Sequence, residues 1–341
     1  VSAPAPSRRK LVVGWALRLL GPVILALLVA RLDRPGQIVE LLAAVAPAPL
    51  AAALVLNVVP LWLKAVRWNV ILRARGIDYP AKQALVAFSS SLYLGMLTPG
   101  RVGDVLRIQY LRHDTGARYA EGLASLVVDR LADLYVLVAF VSVAVVHWGS
   151  LLAPDLVLLA WLMVGASVLG PAALLVPGVA DRVLGTIYRR VARGQAGQEP
   201  DGLEAFLTAL REGTKKSLLP VLALTTAAFA LNFAQGVLLA RAMGLPLSWM
   251  DVIGLSSIQS MMGLLPISVS GLGVREAFFA GIFPAMGRTP AEGASYGLLV
   301  FAVLYVVQVV FGAIAWQVRP PPTGDGDAGP SQRLVAPNEG D

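Results

Sequence analysis

The sequence predicts an all-α, polytopic integral membrane protein: about six spanning helices plus two re-entrant helical hairpins, arranged as inverted repeats. Three observations predict this. Of 341 residues, 57% are hydrophobic and 14% charged, whereas soluble domains carry about 25% charged residues, so the chain lacks the charge to coat a water-facing surface. Six apolar runs are long enough to cross roughly 30 Å of hydrocarbon at about 1.5 Å per helical residue. Two shorter apolar runs, each ending in a Pro/Gly-rich break, are related at a fixed offset along the chain.

The six runs lie near residues 11–30, 47–68, 122–146, 155–176, 218–240 and 293–316. The first follows Arg8, Arg9 and Lys10 as a signal peptide would, but its length and the lack of a small-residue cleavage site make it a retained anchor. Lys and Arg set the orientation. With residues 1–10 in the cytosol, the connections 64–82, 101–118 and 178–217 are cytosolic and hold 5, 4 and 7 basic residues. The opposite side receives Arg31, Arg34, Arg241, Arg275 and Arg288. The net charge of +7 is therefore an orientation signal with some attraction to anionic headgroups, and it calls for no nucleic acid. The expected location is the bacterial cytoplasmic (inner) membrane, with both termini cytosolic. The connection 178–217 reads as two surface helical stretches around a turn-rich centre, and the tail 318–341 as disordered. The membrane domain is 11–317.

The short runs, 84–97 and 252–265, are each about 21 Å long as helices, too short to span and typical of re-entrant segments. The first break contains Pro99, Gly100 and Gly103, the second Pro266, Gly271 and Gly273. An offset of 168 takes Arg73, Ala74, Gly76, Ser89, Gly95 and Leu97 onto Arg241, Ala242, Gly244, Ser257, Gly263 and Leu265. A polar amide lies in the preceding helix of each copy, Asn57 and Asn232. The helix before the first copy runs outside to inside and the one before the second runs the other way, so the repeats, about 47–146 and 218–316, are inverted. Inverted repeats with broken short segments point to a transporter. Non-helical backbone at membrane depth is tolerated only against protein or a water-filled cavity, so the breaks are expected to line a cavity.

Several motifs together resemble the membrane domain of bacterial lysylphosphatidylglycerol synthases, a flippase-like family that also occurs as stand-alone proteins. They are Arg67-Trp68 after an Asn-bearing helix, Leu97-Thr98-Pro99-Gly100-Arg101-Val102-Gly103-Asp104 with Arg107, Ser125-x-x-x-Asp129-Arg130-x-x-Asp133, and Leu265-Pro266 leading to Ser270-Gly271-Leu272-Gly273-Val274-Arg275-Glu276. The similarity runs from about 11 to 317. It implies translocation of a lipid between leaflets; the soluble aminoacyl-transfer domain of the full-length synthases has no counterpart in these residues.

Candidate translocation residues follow. Ser125, Asp129 and Asp133 share a helical stripe, and Arg130 is placed to pair with Asp133 at i, i+3. Such a group either fixes two helices structurally or forms a cavity wall that contacts a headgroup or relays a proton. Arg101 and Arg107, with Arg275, suit a lipid phosphate, while Asp104 pairs with Arg101 or Arg107 or caps the returning helix; Arg67 is a further translocation candidate. In the second break, Ser268, Ser270, Arg275 and Glu276 join a helix starting near Gly273, whose positive end would face an anion. Asn57, Asn232, Gln235 and Gln259 make helix-to-helix hydrogen bonds or contact substrate. Six tryptophans, 62, 68, 148, 161, 249 and 316, read as interface anchors.

The lack of Cys removes thiolate chemistry, and with His113 and His147 outside any metal-ligand spacing zinc chemistry is not expected. No cofactor or metal is expected, and no Walker motif couples ATP within the chain. The expected function is a lipid flippase, not an enzyme, moving a phospholipid or related amphiphile, with membrane lipids and a lipid-synthesising enzyme as candidate partners. The alternatives are an accessory subunit of an envelope-lipid pathway and, third, an intramembrane enzyme acting on lipid phosphates.

Overall fold

The computed structural model describes residues 22–32, 34, 36–97, 103–149, 154–173, 202–262 and 271–322, with Arg182 and Thr186. Among these residues every long element is an α-helix and there is no strand. The helices are α1 (22–30), α2 (Gln37–Ala43), α3 (Pro47–Leu56), α4 (Val58–Arg73), α5 (Ala81–Leu97), α6 (Leu106–Thr115) and α7 (Tyr119–Trp148). They continue with α8 (Pro154–Ala173), α9 (Gly202–Ala242), α10 (Trp249–Met262), α11 (Val274–Ile282) and α12 (Pro290–Val318).

Among the described residues, four stretches are long and apolar enough to cross a membrane: Pro47–Arg73, Tyr119–Trp148, Lys216–Ala242 and Pro290–Val318. They match four of the six expected crossings. The run 11–30 lies largely outside the described residues; of the run 155–176, residues 155–173 lie in α8, which is not among the four, and 174–176 lie outside the described residues. The helical stretch expected before residue 217 continues without interruption into the span, as one 41-residue helix over Gly202–Ala242 with Pro220 inside it. Proline removes one backbone donor, yet it sits near the first turn of the spanning part, where the rest of the helix supplies the geometry.

The repeat seen in the sequence recurs turn for turn. After α4, Gly76 takes a left-handed φ of 76°; Gly76 N donates to Arg73 O (2.9 Å) and Ile77 N to Leu72 O (3.2 Å). After α9, Gly244 takes φ 67°; Gly244 N donates to Arg241 O (3.0 Å) and Leu245 N to Ala240 O (2.9 Å). Only glycine adopts this conformation at no steric cost. The following helices start at Ala81 and Trp249, and the next pair at Leu106 and Val274, each 168 residues apart. The last pair restarts after the left-handed Gly116 and Gly287, with Glu121 and Glu292 accepting from the N–H of Arg118 and Thr289. From there the offset is 171, and α7 and α12 have 30 and 29 residues.

The halves are interleaved. α4 packs on α9 at the centre, α5 of the first half packs on α12 of the second, and α10 packs on α7. Small residues permit the close crossings: a Cβ on Gly312 would lie 2.5 Å from Tyr93 Cβ, and one on Gly254 2.6 Å from Trp148 Cη2. The outer faces stay apolar, with Val55, Val146, Leu162, Leu169, Leu219 and Val310 exposed, as lipid contact requires. Two of the expected tryptophan anchors are corrected. Trp68 and Trp148 are fully buried, their indole N–H groups donating to Ser125 Oγ (3.1 Å) and Asp251 Oδ1 (3.3 Å). They are core residues because a polar partner lets indole bury its N–H. Trp62 and Trp249 are exposed.

Candidate functional site

The central charged cluster is assembled from α4, the turn before α6, α6 itself, α7 and α9. Arg67 Nη1 donates to Asp133 Oδ1 (2.5 Å) and to Thr225 Oγ1 (2.8 Å), while its Nη2 contacts Asp129 Oδ1 (2.6 Å) away from the ideal hydrogen-bond direction. Arg107 Nη2 donates to Asp129 Oδ2 (2.8 Å). Arg130 Nη2 meets Asp104 Oδ2 (2.6 Å). Three arginines thus face three aspartates. The side chains of Arg67, Arg107 and Asp129 are 1%, 1% and 0% exposed, so their charges persist only because each is paired.

The pairing nevertheless leaves donors over. Arg67 Nε, Arg107 Nε and Nη1, and Arg130 Nε are buried with no hydrogen-bond partner. Unmet buried donors are uncommon and ask for an acceptor. The Arg107 guanidinium is further held over the rings of Trp68 and Phe88, with 5.2 and 5.3 Å to the centroids, a desolvated cation–π arrangement.

Some sequence expectations change here. The expected i, i+3 pair forms, Arg130 Nη1 donating to Asp133 Oδ2 (3.5 Å), and shorter pairs run to other elements, from Asp133 to Arg67 of α4 and from Arg130 to Asp104. Asp104 pairs with Arg130 and gives α6 no side-chain cap. Ser125 accepts from Trp68 and donates to Gly122 O (2.6 Å), so it packs α4 on α7. Gly103 is needed for a close approach, since a Cβ there would fall 2.8 Å from Gly95 Cα. Arg101, Pro99 and Gly100 lie outside the described residues, as do Pro266, Ser268 and Ser270.

In the second half, Arg275 occupies the position of Arg107, 168 residues on, and likewise lies over two rings, Phe301 and Tyr305, at 5.1 and 5.3 Å. Glu276 Oε2 accepts from Gly273 N (2.6 Å), so a carboxylate of α11 itself closes the N-terminal turn at which the sequence expected an anion. Gly271 and Gly273 both have left-handed φ, 77° and 80°. Asn57 Nδ2 donates to Val303 O (2.7 Å), a helix-to-helix bond. Asn232 and Gln259 line a small cavity of about 40 Å³ between α9, α10 and α12.

Sequence reasoning missed Thr225 and the aromatic walls around Arg107. Thr225 had a signal: it stands 168 residues after Asn57, so the repeat placed a polar group there.

Outside the spans, Asp114 anchors the end of α12. Arg319 Nη1 donates to Asp114 Oδ2 (2.8 Å), its Nη2 makes a second, shorter bond to Oδ1, and Tyr79 OH donates to Oδ2 (2.6 Å). Burial pushes the Asp114 carboxyl up, but the bonds from Arg319, Tyr79 and His113 outweigh it and hold it below the usual range.

The sequence pattern of the family described as "Lysylphosphatidylglycerol synthase TM region" matches residues 15–312. Among curated proteins, the glycosyltransferase AglD of Haloferax volcanii is 26% identical across 91% of this chain and 54% of its own length. The chain thus spans about half the length of that relative. The expectation that the chain is not an enzyme is corrected by this finding, because a relative matching nearly the whole chain bears the name of a glycosyltransferase.

Proposed function

Since the chain belongs to the lysylphosphatidylglycerol synthase transmembrane family, we propose that it is a lipid-handling multi-pass membrane protein that moves a phospholipid or related amphiphile between leaflets of the bacterial inner membrane, both termini cytosolic. The observation that carries this reading is the set of buried arginine donors without acceptors beside Asp104, Asp129 and Asp133. A headgroup phosphate offers the missing acceptors. By taking Arg107 or Arg130 it would release Asp129 or Asp104, so headgroup entry and the opening of helix contacts are one exchange of partners. The short helices α5 and α10 are then re-entrant arms, inserted from opposite faces and packed on the long helix of the other half, an arrangement in keeping with alternating access.

A second reading is favoured by the relative's name: the same site holds the lipid carrier in a glycosyl transfer, with the sugar chemistry performed here or by an associated domain. The accessory-subunit reading draws support from the pairing of the three aspartates with the three arginines.

A dithionite-quenching assay on proteoliposomes with fluorescent phospholipids tests the first reading. Wild type is expected to expose inner-leaflet probe, and Arg130→Gln at matched folded abundance to lose most of that activity. Wild type behaving like empty liposomes across anionic, zwitterionic and sugar-bearing lipids would overturn translocation and leave glycosyl transfer to be assayed with the same preparations.

A further inference from the structure

The two halves fill one equivalent position in opposite ways. The offset of 168 puts Gln235 where Arg67 stands and Thr225 where Asn57 stands; aligning α12 on α7 by the left-handed glycines puts Val300 and Leu304 where Asp129 and Asp133 stand. In the first half the position is packed with ion pairs. In the second it is hollow. Gln235, Gln259, Asn232, Ser256 and Ser260 form the polar part of the lining of the cavity of about 40 Å³, and Val300 and Leu304 belong to its apolar part, together with Phe229, Phe233 and Leu239.

The polar atoms there are oriented. Gln235, 1% exposed, spends its amide N–H on Ala53 O (2.7 Å), and Ser260 Oγ donates to Ser256 O (2.6 Å). That leaves Gln235 Oε1 and Gln259 Oε1 buried with no donor. Both are carbonyl oxygens that only accept, and no charged side chain is in the lining. The space suits about three water-sized bodies, too few for a lipid headgroup. A set of oxygens without nitrogen or sulfur ligands selects hard cations. With no carboxylate to offset two charges, it favours a single one.

We propose that this cavity binds a monovalent alkali cation of sodium size, held by Gln235 Oε1 and Gln259 Oε1 with serine hydroxyls and retained water completing its shell. The ion restores in the second half the positive charge that Arg67 places in the first. It bridges α9 to α10, so its arrival and departure bias how the short helix sits on its neighbours. Cation binding is read on the purified chain and does not require that the chain translocate lipid, so failure of either idea leaves the other standing.

The test is thermal unfolding of the purified full chain in detergent with NaCl, KCl or choline chloride at equal ionic strength, paired with equilibrium binding of radioactive sodium. The expected result is a saturable rise of about 3 °C or more in Tm with sodium, a smaller one with potassium and none with choline. Gln259→Leu abolishes the sodium increment and the bound isotope, while Gln259→Glu retains both. Should Gln259→Leu fail to fold, Ser260→Ala and Gln259→Glu carry the same comparison. Equal melting in the three salts without bound sodium would overturn the proposal in favour of a water-filled cavity, and a sodium increment that survives Gln259→Leu would overturn the assignment to this cavity.

Discussion

Removing the carboxylate of Asp129 is the sharpest test of the central cluster. Asp129 is wholly buried and touches two guanidinium groups, at 2.6 Å (Arg67) and 2.8 Å (Arg107). In Asp129→Asn, Arg67 keeps Asp133 and Thr225, but Arg107, 1% exposed, keeps no carboxylate among the described residues, being left with a neutral amide oxygen and the faces of Trp68 and Phe88. An uncompensated buried charge costs about 3–5 kcal/mol, and cation–π contacts return about 1–2 of these. A net loss of about 2–3 kcal/mol follows, or roughly 4–12 °C at the 2–4 °C per kcal/mol usual for larger chains. Arg107→Met added to Asp129→Asn removes the orphaned charge at similar volume and is expected to recover most of the loss, giving a coupling of about 1–2 kcal/mol between the sites. The assay is the fraction remaining monodisperse by size exclusion after heating in detergent, for wild type, both single variants and the double. If Asp129→Asn melts within about 1 °C of wild type, or the double variant loses the sum of the singles, the buried pairing is not what holds this region.

Two further outcomes follow from particular contacts. Gly254→Val places a Cβ 2.6 Å from Trp148 Cη2 at the α10–α7 crossing; a destabilisation of about 1–3 kcal/mol is expected, partly relieved by Trp148→Phe, and additive losses in the double variant would contradict it. At the end of α12, the Asp114 carboxyl is held below its usual value by Arg319, Tyr79 and His113. A depressed folded pKa gives stability that is present above the unfolded value, near 3.8, and is lost as pH falls through the lower folded one. The Tm difference between wild type and Asp114→Asn is therefore expected to be largest near pH 6 and to shrink as the pH is lowered towards 3; a constant difference would refute the role of the ionised carboxylate.

The helical class and the four spans were legible because lipid demands long apolar runs with no compensating pattern. The repeat was legible because turns depend on local chemistry: Arg-Ala-x-Gly closes a helix the same way at Gly76 and Gly244 wherever it occurs. Partner choice was legible only within one helix. The i, i+3 spacing of Arg130 and Asp133 predicted a pair that forms, at 3.5 Å, but spacing on one helix says nothing about which side chain approaches from another. Arg67 of α4 takes Asp133, and the turn before α6 offers Asp104 to Arg130. Trp68 and Trp148 misled for a related reason, since a tryptophan near a span end reads as an anchor until a buried acceptor is found for its N–H.

On the transport reading proposed above, the divergence of the halves would give the fold its direction. Backbone elements correspond from Arg73 and Arg241 onward, yet the polar content of equivalent positions is exchanged: Arg67 against Gln235, Asp129 against Val300, Asp133 against Leu304. A symmetric frame with identical interiors would have equal energies in its two related arrangements. An ion-paired interior on one side and an uncharged hollow on the other make those arrangements unequal, by an amount that whatever enters the hollow or competes for the arginines can change. That asymmetry, rather than the repeat itself, is the property a transport or transfer cycle needs. Its measure is the double-variant coupling at Asp129 and Arg107, which should fall when an acceptor-bearing lipid is supplied and stay unchanged when an acceptor-free detergent is.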